Sequence, residues 1–291
     1  MLKIKVKLHK KFLLEAENIL FEIAPSNWML FSNRKTKDLV LEGIFANKKE
    51  ADHEIMKFQK EFSVNLDDAS ISEIDKSWQN AYKFHFKPWK YKGFTFMPEW
   101  ERSSSINNGD DINIFIDPGM AFGTGTHETT RLCAESLIDN YGKKSSSICD
   151  YNFLDIGCGS GILSILAHYL GFNQIHGIDN DENAIQNSLY NSSLNFNCSD
   201  IKFEKLCLHS MRKSTYNCIV ANIQSDVLIK NASKLICLLK SNGILILSGI
   251  LNYEAEDVSK AFNKVLDSFN FASKQNLSAK NEWCAIFYEL I

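Results

Sequence analysis

The stretch Phe153-Leu154-Asp155-Ile156-Gly157-Cys158-Gly159-Ser160-Gly161 decides how the rest of the chain is read. It ends an apolar run, Ile148 to Ile156, that reads as a buried strand, and it passes through an acid into a glycine-rich turn. Ile162, Leu163, Ile165, Leu166, Ala167 and Leu170 follow at helical spacing with a broad apolar face. Strand, glycine turn and helix open a βαβ unit. Glycines there let the backbone approach a ligand, and the helix N-terminus offers free N–H groups to a carboxylate or phosphate. A second apolar strand, Gln174 to Ile178, ends at Asp179. An acid at that strand tip is placed to accept the hydroxyls of a ribose, so the unit is expected to bind a nucleoside-containing cofactor.

The glycine spacing narrows the choice of cofactor. A dinucleotide fingerprint is G-x-G-x-x-G. Here Gly157, Gly159 and Gly161 alternate, with Asp155 just before them. That form resembles motif I of the class I S-adenosylmethionine methyltransferases, in which the acid and the turn hold the methionine end. No pyrophosphate needs covering, so the third glycine comes one residue earlier. The resemblance makes Asp155, Gly157, Gly159 and Asp179 candidate cofactor contacts.

With 291 residues the chain has room for two domains, and 45% hydrophobic residues support a real core. A net charge of −3 argues against strong non-specific nucleic-acid binding by the whole chain. Eight cysteines are scattered without a C-x-x-C pair, mostly in apolar runs. They read as buried free thiols in a reducing cytoplasm, with no disulfide and no metal site. No apolar stretch is long enough for a membrane span. A cytoplasmic monomer is expected.

Residues 1–66 read as a small β-α-β-β-α-β unit, the order of a ferredoxin-like α+β domain. Leu2, Ile4, Val6 and Leu8 alternate with Lys3, Lys5 and Lys7, the period of a half-buried strand rather than a transit peptide. A helix over Phe12 to Ile23 follows, stopped by Pro25. Strands come next at Trp28 to Phe31 and Leu39 to Phe45. A helix over Lys48 to Phe62 and a short strand near Ile71 to Ile74 complete the unit. Residues 67–105 interleave Trp78, Tyr82, Phe84, Phe86, Trp89, Tyr91, Phe94, Phe96 and Trp100 with lysines. Such a pattern fits RNA contact. It fits better a linker whose aromatics pack while its lysines stay wet, because the aromatics keep a strand-like period.

Residues 106–291 form the third segment. A strand at Ile112 to Ile116 leads into a loop rich in glycine and hydroxyls, Asp117 to Thr130, which opens into a helix over Arg131 to Ile138. The glycines let that loop fold over a ligand, and Thr124, Thr126, Thr129 and Thr130 can bond a carboxylate or cap the helix. His127 is a minor candidate for a catalytic base. Beyond Asp179, helices at Glu182 to Leu194, Val227 to Leu239 and Tyr253 to Phe269 alternate with strands. The strands fall at Ile201 to Leu206, Cys218 to Ala221 and Ile244 to Leu247. Two strands, Phe271 to Leu277 and Trp283 to Leu290, close the chain with no helix between them, so the last one is expected to run antiparallel. The result is a doubly wound, Rossmann-like sheet with one reversed strand. Asp155, Asp179 and Asn222 all fall at carboxyl ends of strands, where such sheets bind ligands.

Taken together, these residues resemble the ribosomal protein L11 methyltransferases (PrmA). The most specific match is Asp117-Pro118-Gly119 through Ala121-Phe122-Gly123-Thr124-Gly125-Thr126-His127, with Thr129-Thr130. Gly177-Ile178-Asp179, Val220-Ala221-Asn222-Ile223, Leu247-Ser248-Gly249-Ile250-Leu251 and Glu282-Trp283 also match, and the resemblance covers nearly the whole chain. It implies cofactor contacts at Thr130, Gly157, Asp179 and Asn222, adds Phe122 in the loop, and implies that the N-terminal domain recognises the ribosomal protein. It implies methyl transfer from S-adenosylmethionine to lysine side chains and the N-terminal amine of that protein; Asn222, at a strand tip beside the expected methyl, is placed to orient the amine through its carbonyl. Two positions depart from the family pattern: Glu128 stands where proline is usual, and Gln224 where leucine is usual. The first is expected to loosen the loop, the second to alter the acceptor pocket. Two other functions stay open. One is methylation of another protein lysine, of the electron-transfer-flavoprotein type. The other is a non-enzymatic RNA-associated factor built on the aromatic–basic segment.

Overall fold

The computed structural model describes residues 2–8, 16, 28–32, 39–45, 47–61, 70–73, 87–104, 111–117, 127–142, 148–197, 200–211 and 215–291. The chain forms two compact units, Met1–His85 and Phe86–Ile291.

In the first unit, β1 (Leu2–Leu8), β2 (Trp28–Ser32), β3 (Leu39–Phe45) and β4 (Ser70–Glu73) make an antiparallel sheet in the order β2-β3-β1-β4. That is the strand order of a ferredoxin-like domain. Ile4, Val6 and Leu8 alternate inward with Leu39, Leu41 and Phe45, and Ala51 of α1 (Lys48–Glu61) packs with them. Lys3 and Lys5 point the other way and pair with Glu42, directly opposite Lys5 on β3. The predicted helix over Phe12 to Ile23 lies outside the described residues except for Ala16, which is buried.

In the second unit, β5 (Trp89–Tyr91), β6 (Phe94–Pro98) and β7 (Ile112–Ile116) form a three-stranded sheet. Trp89 stacks on Phe96 with ring centroids 4.0 Å apart, and Trp89, Phe94, Phe96, Ile114 and Ile116 all join the unit's core. The later half of the stretch read as a linker is therefore part of this unit. Trp78, Tyr82, Phe84 and Phe86 lie outside the described residues.

The main sheet has seven strands. They are β8 (Asn152–Ile156), β9 (Gln174–Asp179), β10 (Ile201–Lys205), β11 (Tyr216–Asn222), β12 (Leu239–Leu251), β13 (Ser273–Lys280) and β14 (Trp283–Leu290). Their order is β10-β9-β8-β11-β12-β14-β13, all parallel except β14, which runs antiparallel to both neighbours. The expected doubly wound sheet with one reversed strand is present. Its inner strands β8, β11 and β12 carry long apolar runs because both faces are covered. Phe153, Cys218, Val220 and Ile246 face α2 (Glu128–Tyr141) and α3 (Ile162–Leu170). Leu154, Ile219, Ala221 and Leu245 face α5 (Ser225–Leu238) and α6 (Ala255–Ser268). Each buried Val, Leu, Ile or Phe among them contributes about 1.5–3 kcal/mol by leaving water. A fifth helix beside this sheet, α4 (Glu182–Asn195), links β9 to β10.

Two boundaries and the exposure of three cysteines differ from expectation. β8 starts at Asn152, not Ile148: Ile148 is buried, but its carbonyl closes a turn by accepting from the Tyr151 N–H at 2.9 Å. β12 extends far beyond Ile244 to Leu247 at both ends. Of the cysteines, 133, 158, 218 and 284 are buried as expected, whereas 149, 207 and 237 are exposed. Among the described residues, no helix is long and apolar enough to cross a membrane.

Candidate active site

The chain builds β8, β9 and β10 toward one edge of the sheet and then returns to place β11 against β8. The reversal opens a crevice at the carboxyl ends of β8 and β11. A cavity of about 710 Å³ occupies it. Thr130, Gly157, Gly159, Asp179, Asn222 and His127, all candidates from the sequence, line its wall. Phe122 lies outside the described residues.

On the β8–β9 side the backbone and Asp179 are knitted together. The N–H groups of Gly157 and Cys158 both donate to the Ile178 carbonyl, at 2.9 and 3.0 Å. The Gly159 N–H donates to Asp179 Oδ2 and the Asp181 N–H to Asp179 Oδ1, both at 3.0 Å. Each Asp179 oxygen keeps a further lone pair for a ligand. Gly157 has φ +69°, and a Cβ there would lie 2.6 Å from the Ile223 side chain, so only glycine fits.

Asp155 is not on the cavity wall. It is 1% exposed, and its Oδ2 accepts from both the N–H (3.1 Å) and the hydroxyl (2.7 Å) of Ser164 in α3. Its Oδ1 is buried without a partner. Burial pushes its carboxyl up to about 7 against the pull of the Ser164 bonds, and the nearby Asp179 charge adds to the rise. The geometry gives Asp155 the work of fastening the end of β8 to the first turn of α3.

On the other side, β11 ends at Asn222. Its Nδ2 donates to Thr130 Oγ1 at 3.3 Å, while its Oδ1 is buried with no partner. The Ile223 N–H donates to the Ser248 carbonyl at 3.1 Å. Gly249 follows at φ +83°, and a Cβ there would lie 2.3 Å from the Ile223 carbonyl oxygen. The tips of β11 and β12 touch because this residue is glycine.

The comparisons with known proteins agree with this geometry. Residues 6–290 match the family described as "Ribosomal protein L11 methyltransferase (PrmA)". The chain belongs to that family. It is 37% identical to the ribosomal protein L11 methyltransferase of Thermoanaerobacter pseudethanolicus over 231 residues, covering 78% of this chain and 70% of the relative. It is 34% identical to that of Ruminiclostridium cellulolyticum over 265 residues, covering 87% and 79%. The crystal structure of a ribosomal protein L11 methylase from Lactobacillus delbrueckii subsp. bulgaricus superposes with a TM-score of 0.60. That superposition has 26% identity and covers 70% of this chain and 99% of that one. The chain is thus a class I, S-adenosylmethionine-dependent methyltransferase.

Family membership sharpens the view of the remaining wall residues. His127, not a threonine, caps α2: its Nδ1 lies 3.4 Å from the Thr129 N–H and 2.8 Å from the Thr129 hydroxyl. Its ring meets Trp283 edge-on at 4.9 Å. Glu128 Oε1 accepts from Asn281 Nδ2 at 2.9 Å, while most of the loop it was expected to loosen lies outside the described residues. Its own backbone N–H and then Asn281 hold its carboxyl below the usual range. Gln224 lines the cavity as the N-cap of α5 but makes no side-chain cap bond. Trp283, Gly249 and the segment Leu206 to His209 also line the cavity without having been singled out from the sequence as site residues. For Leu206 to His209 the available signal was their place just after a parallel strand.

Proposed function

We propose that this chain transfers methyl groups from S-adenosylmethionine to ribosomal protein L11, at lysine side chains and the N-terminal amine, with residues 1–66 recognising the substrate protein. Family membership and the names of its relatives support the substrate. The cavity suits the donor in size, since small-molecule sites run to roughly 300–1,000 Å³. Its polar groups suit the donor too: Asp179 receives the ribose, Gly157 and Gly159 give the methionine end close backbone, and Thr130 lies beside Asn222.

S-adenosylmethionine supplies a methyl group on a sulfonium, already a good leaving group. Positioning of the acceptor therefore supplies much of the rate. A lysine has an ordinary pKa near 10.4 and must present a neutral amine. A desolvated pocket favours that form, and an acceptor oxygen orients its remaining N–H. The observation that carries this assignment is the Asn222 Oδ1, buried at a strand tip on the cavity wall and lacking any partner. Gln224, two residues on and exposed at the same cavity, adds a polar edge to the acceptor side.

The test is radiolabelled S-adenosylmethionine with purified ribosomal proteins, followed by mass spectrometry of the labelled band. Label on L11 at amine nitrogens is the expected result. Label on an electron-transfer flavoprotein alone would redirect the substrate assignment, and salt-sensitive RNA binding without any methyl transfer would sink it.

A further inference from the structure

Three of the four asparagines of helix α4, Asn187, Asn191 and Asn195, are not used by the chemistry above. Spaced four apart, they share one helix face and rise about 6 Å per step. Alternate residues of a strand are separated by about 6.6 Å. The two repeats match closely enough for side chains on a helix to stand in for a neighbouring strand. β7 is an edge of the three-stranded sheet, and its open edge is met in this way.

Asn195 exchanges two bonds with Phe115: the Phe115 N–H donates to Oδ1 at 2.8 Å, and Nδ2 donates to the Phe115 carbonyl at 2.7 Å. Asn191 repeats the pattern with Asp117, at 2.8 and 3.1 Å. Asn191 also does something Asn195 does not. Its Nδ2 donates at 2.9 Å to the carbonyl of Ser160, inside the glycine turn. Asn191 is 0% exposed. One helical turn earlier, Ser188 packs so closely on Gly161 that a Cβ on that glycine would sit 2.8 Å from the serine Cβ.

We infer that Asn191 is a positioning residue for the cofactor half of the pocket, tying the Ser160 carbonyl of the glycine turn to the Asp117 backbone. Asn191 is absent from the cavity wall, so it acts through the turn and not by touching a ligand. Its two amide hydrogens serve Asp117 and Ser160 together. Removing them breaks both bonds, one of them to the turn that carries Gly159. The inference rests on the glycine turn being the S-adenosylmethionine site.

The experiment uses the full chain, S-adenosylmethionine and ribosomal protein L11. Asn191→Asp keeps the shape and the acceptor oxygen and replaces the donor. Its KM and Kd for S-adenosylmethionine should rise about tenfold, with kcat and the KM for the protein substrate within about threefold of wild type. Asn195→Asp breaks the same kind of ladder bond one turn away, with no link to the glycine turn, and should leave the Kd for S-adenosylmethionine within about twofold. Unchanged affinity in Asn191→Asp, or an equal loss in Asn195→Asp, would overturn the inference. Should Asn191→Asp fail to fold, hydrogen exchange on the wild-type chain decides. Saturating S-adenosylmethionine should slow exchange of the Asp117 amide more than that of Phe115, and equal slowing overturns the coupling. A wild type that does not bind S-adenosylmethionine removes the site assignment and the inference with it. A wild type that binds beside an unaffected variant removes the inference alone.

Discussion

The two sides of the pocket are finished to different degrees. Where β8 and β9 end, the polar groups are already paired within the chain: Gly157 and Cys158 with Ile178, and both Asp179 oxygens with backbone N–H groups. Where β11 ends, Asn222 has its donor engaged by Thr130 and its acceptor buried with nothing. A buried, unmet polar atom costs about 1–3 kcal/mol. The first side is a shape fixed in advance; the second keeps an open valence at a residue of the cavity wall. That division is the one a methyl transfer needs, with a rigid seat for the donor and an orienting group for the acceptor.

The largest effect is expected at the open valence. Asn222→Ala removes the orienting oxygen and should slow single-turnover methyl transfer by about 10²-fold or more, since misplacement alone can cost that much. The measurement is made at saturating S-adenosylmethionine and substrate, which separates positioning from affinity. Transfer at the wild-type rate under saturation would return Asn222 to the fold or to cofactor binding and erase the contrast between the two sides.

Asp179→Ala tests the finished side. It removes a charged acceptor from the cavity and should weaken S-adenosylmethionine binding by roughly 1.5–3 kcal/mol. Calorimetry on a folded variant measures this directly. The Gly159 and Asp181 N–H groups lose their partner in the same variant, so Asp179→Asn, which keeps one acceptor oxygen, should lose less. Equal losses would mean that Asp179 shapes the turn and does not contact the ribose.

Asp155 breaks the comparison, because it lies on the finished side yet has an unmet oxygen. With its folded carboxyl at about 7 and an ordinary Asp near 3.9, the folded state holds its proton more tightly than the unfolded state. The stability this gives is fully present below the unfolded value and is lost as pH rises through about 7. Relative to Asp155→Asn, the wild type should therefore lose about 2 kcal/mol between pH 5 and 7. Denaturant unfolding of both proteins across that range checks it, and parallel curves would show that the carboxylate finds compensation in the interior.

Much of this arrangement was legible in the sequence, for a stated reason. Strands covered on both faces are largely apolar, so Phe153 to Ile156 and Cys218 to Ala221 stood out as short apolar runs, and the acids and amide at the strand ends marked the crevice. The same logic misplaced the start of β8. Ile148 is as buried as a strand residue but sits in a turn, and hydropathy does not separate the two. Partners distant in sequence were out of reach. Nothing near His127 announces Trp283, and the three asparagines of α4 look like indifferent helix formers until strand β7, some 70–80 residues earlier, lies beside them.

The smallest effect is expected at His127, and it decides whether the start of α2, on the cavity wall, holds a chemical group or a structural one. The imidazole is committed to the start of α2, with Nδ1 against the Thr129 N–H and hydroxyl and its ring edge-on to Trp283. A lost helix cap costs about 0.5–2 kcal/mol and a lost aromatic pair about 0.5–1.5 kcal/mol. Because the cap bond is long at 3.4 Å, His127→Ala should destabilise the chain by about 1 kcal/mol, seen as a lower unfolding midpoint. Single-turnover transfer should fall no more than severalfold and keep the wild-type pH profile, because a helix cap takes no proton from the amine. A loss of 10²-fold or more that varies with pH through the histidine range would make His127 the proton acceptor. It would also give the acceptor side of the pocket two chemical groups in place of one.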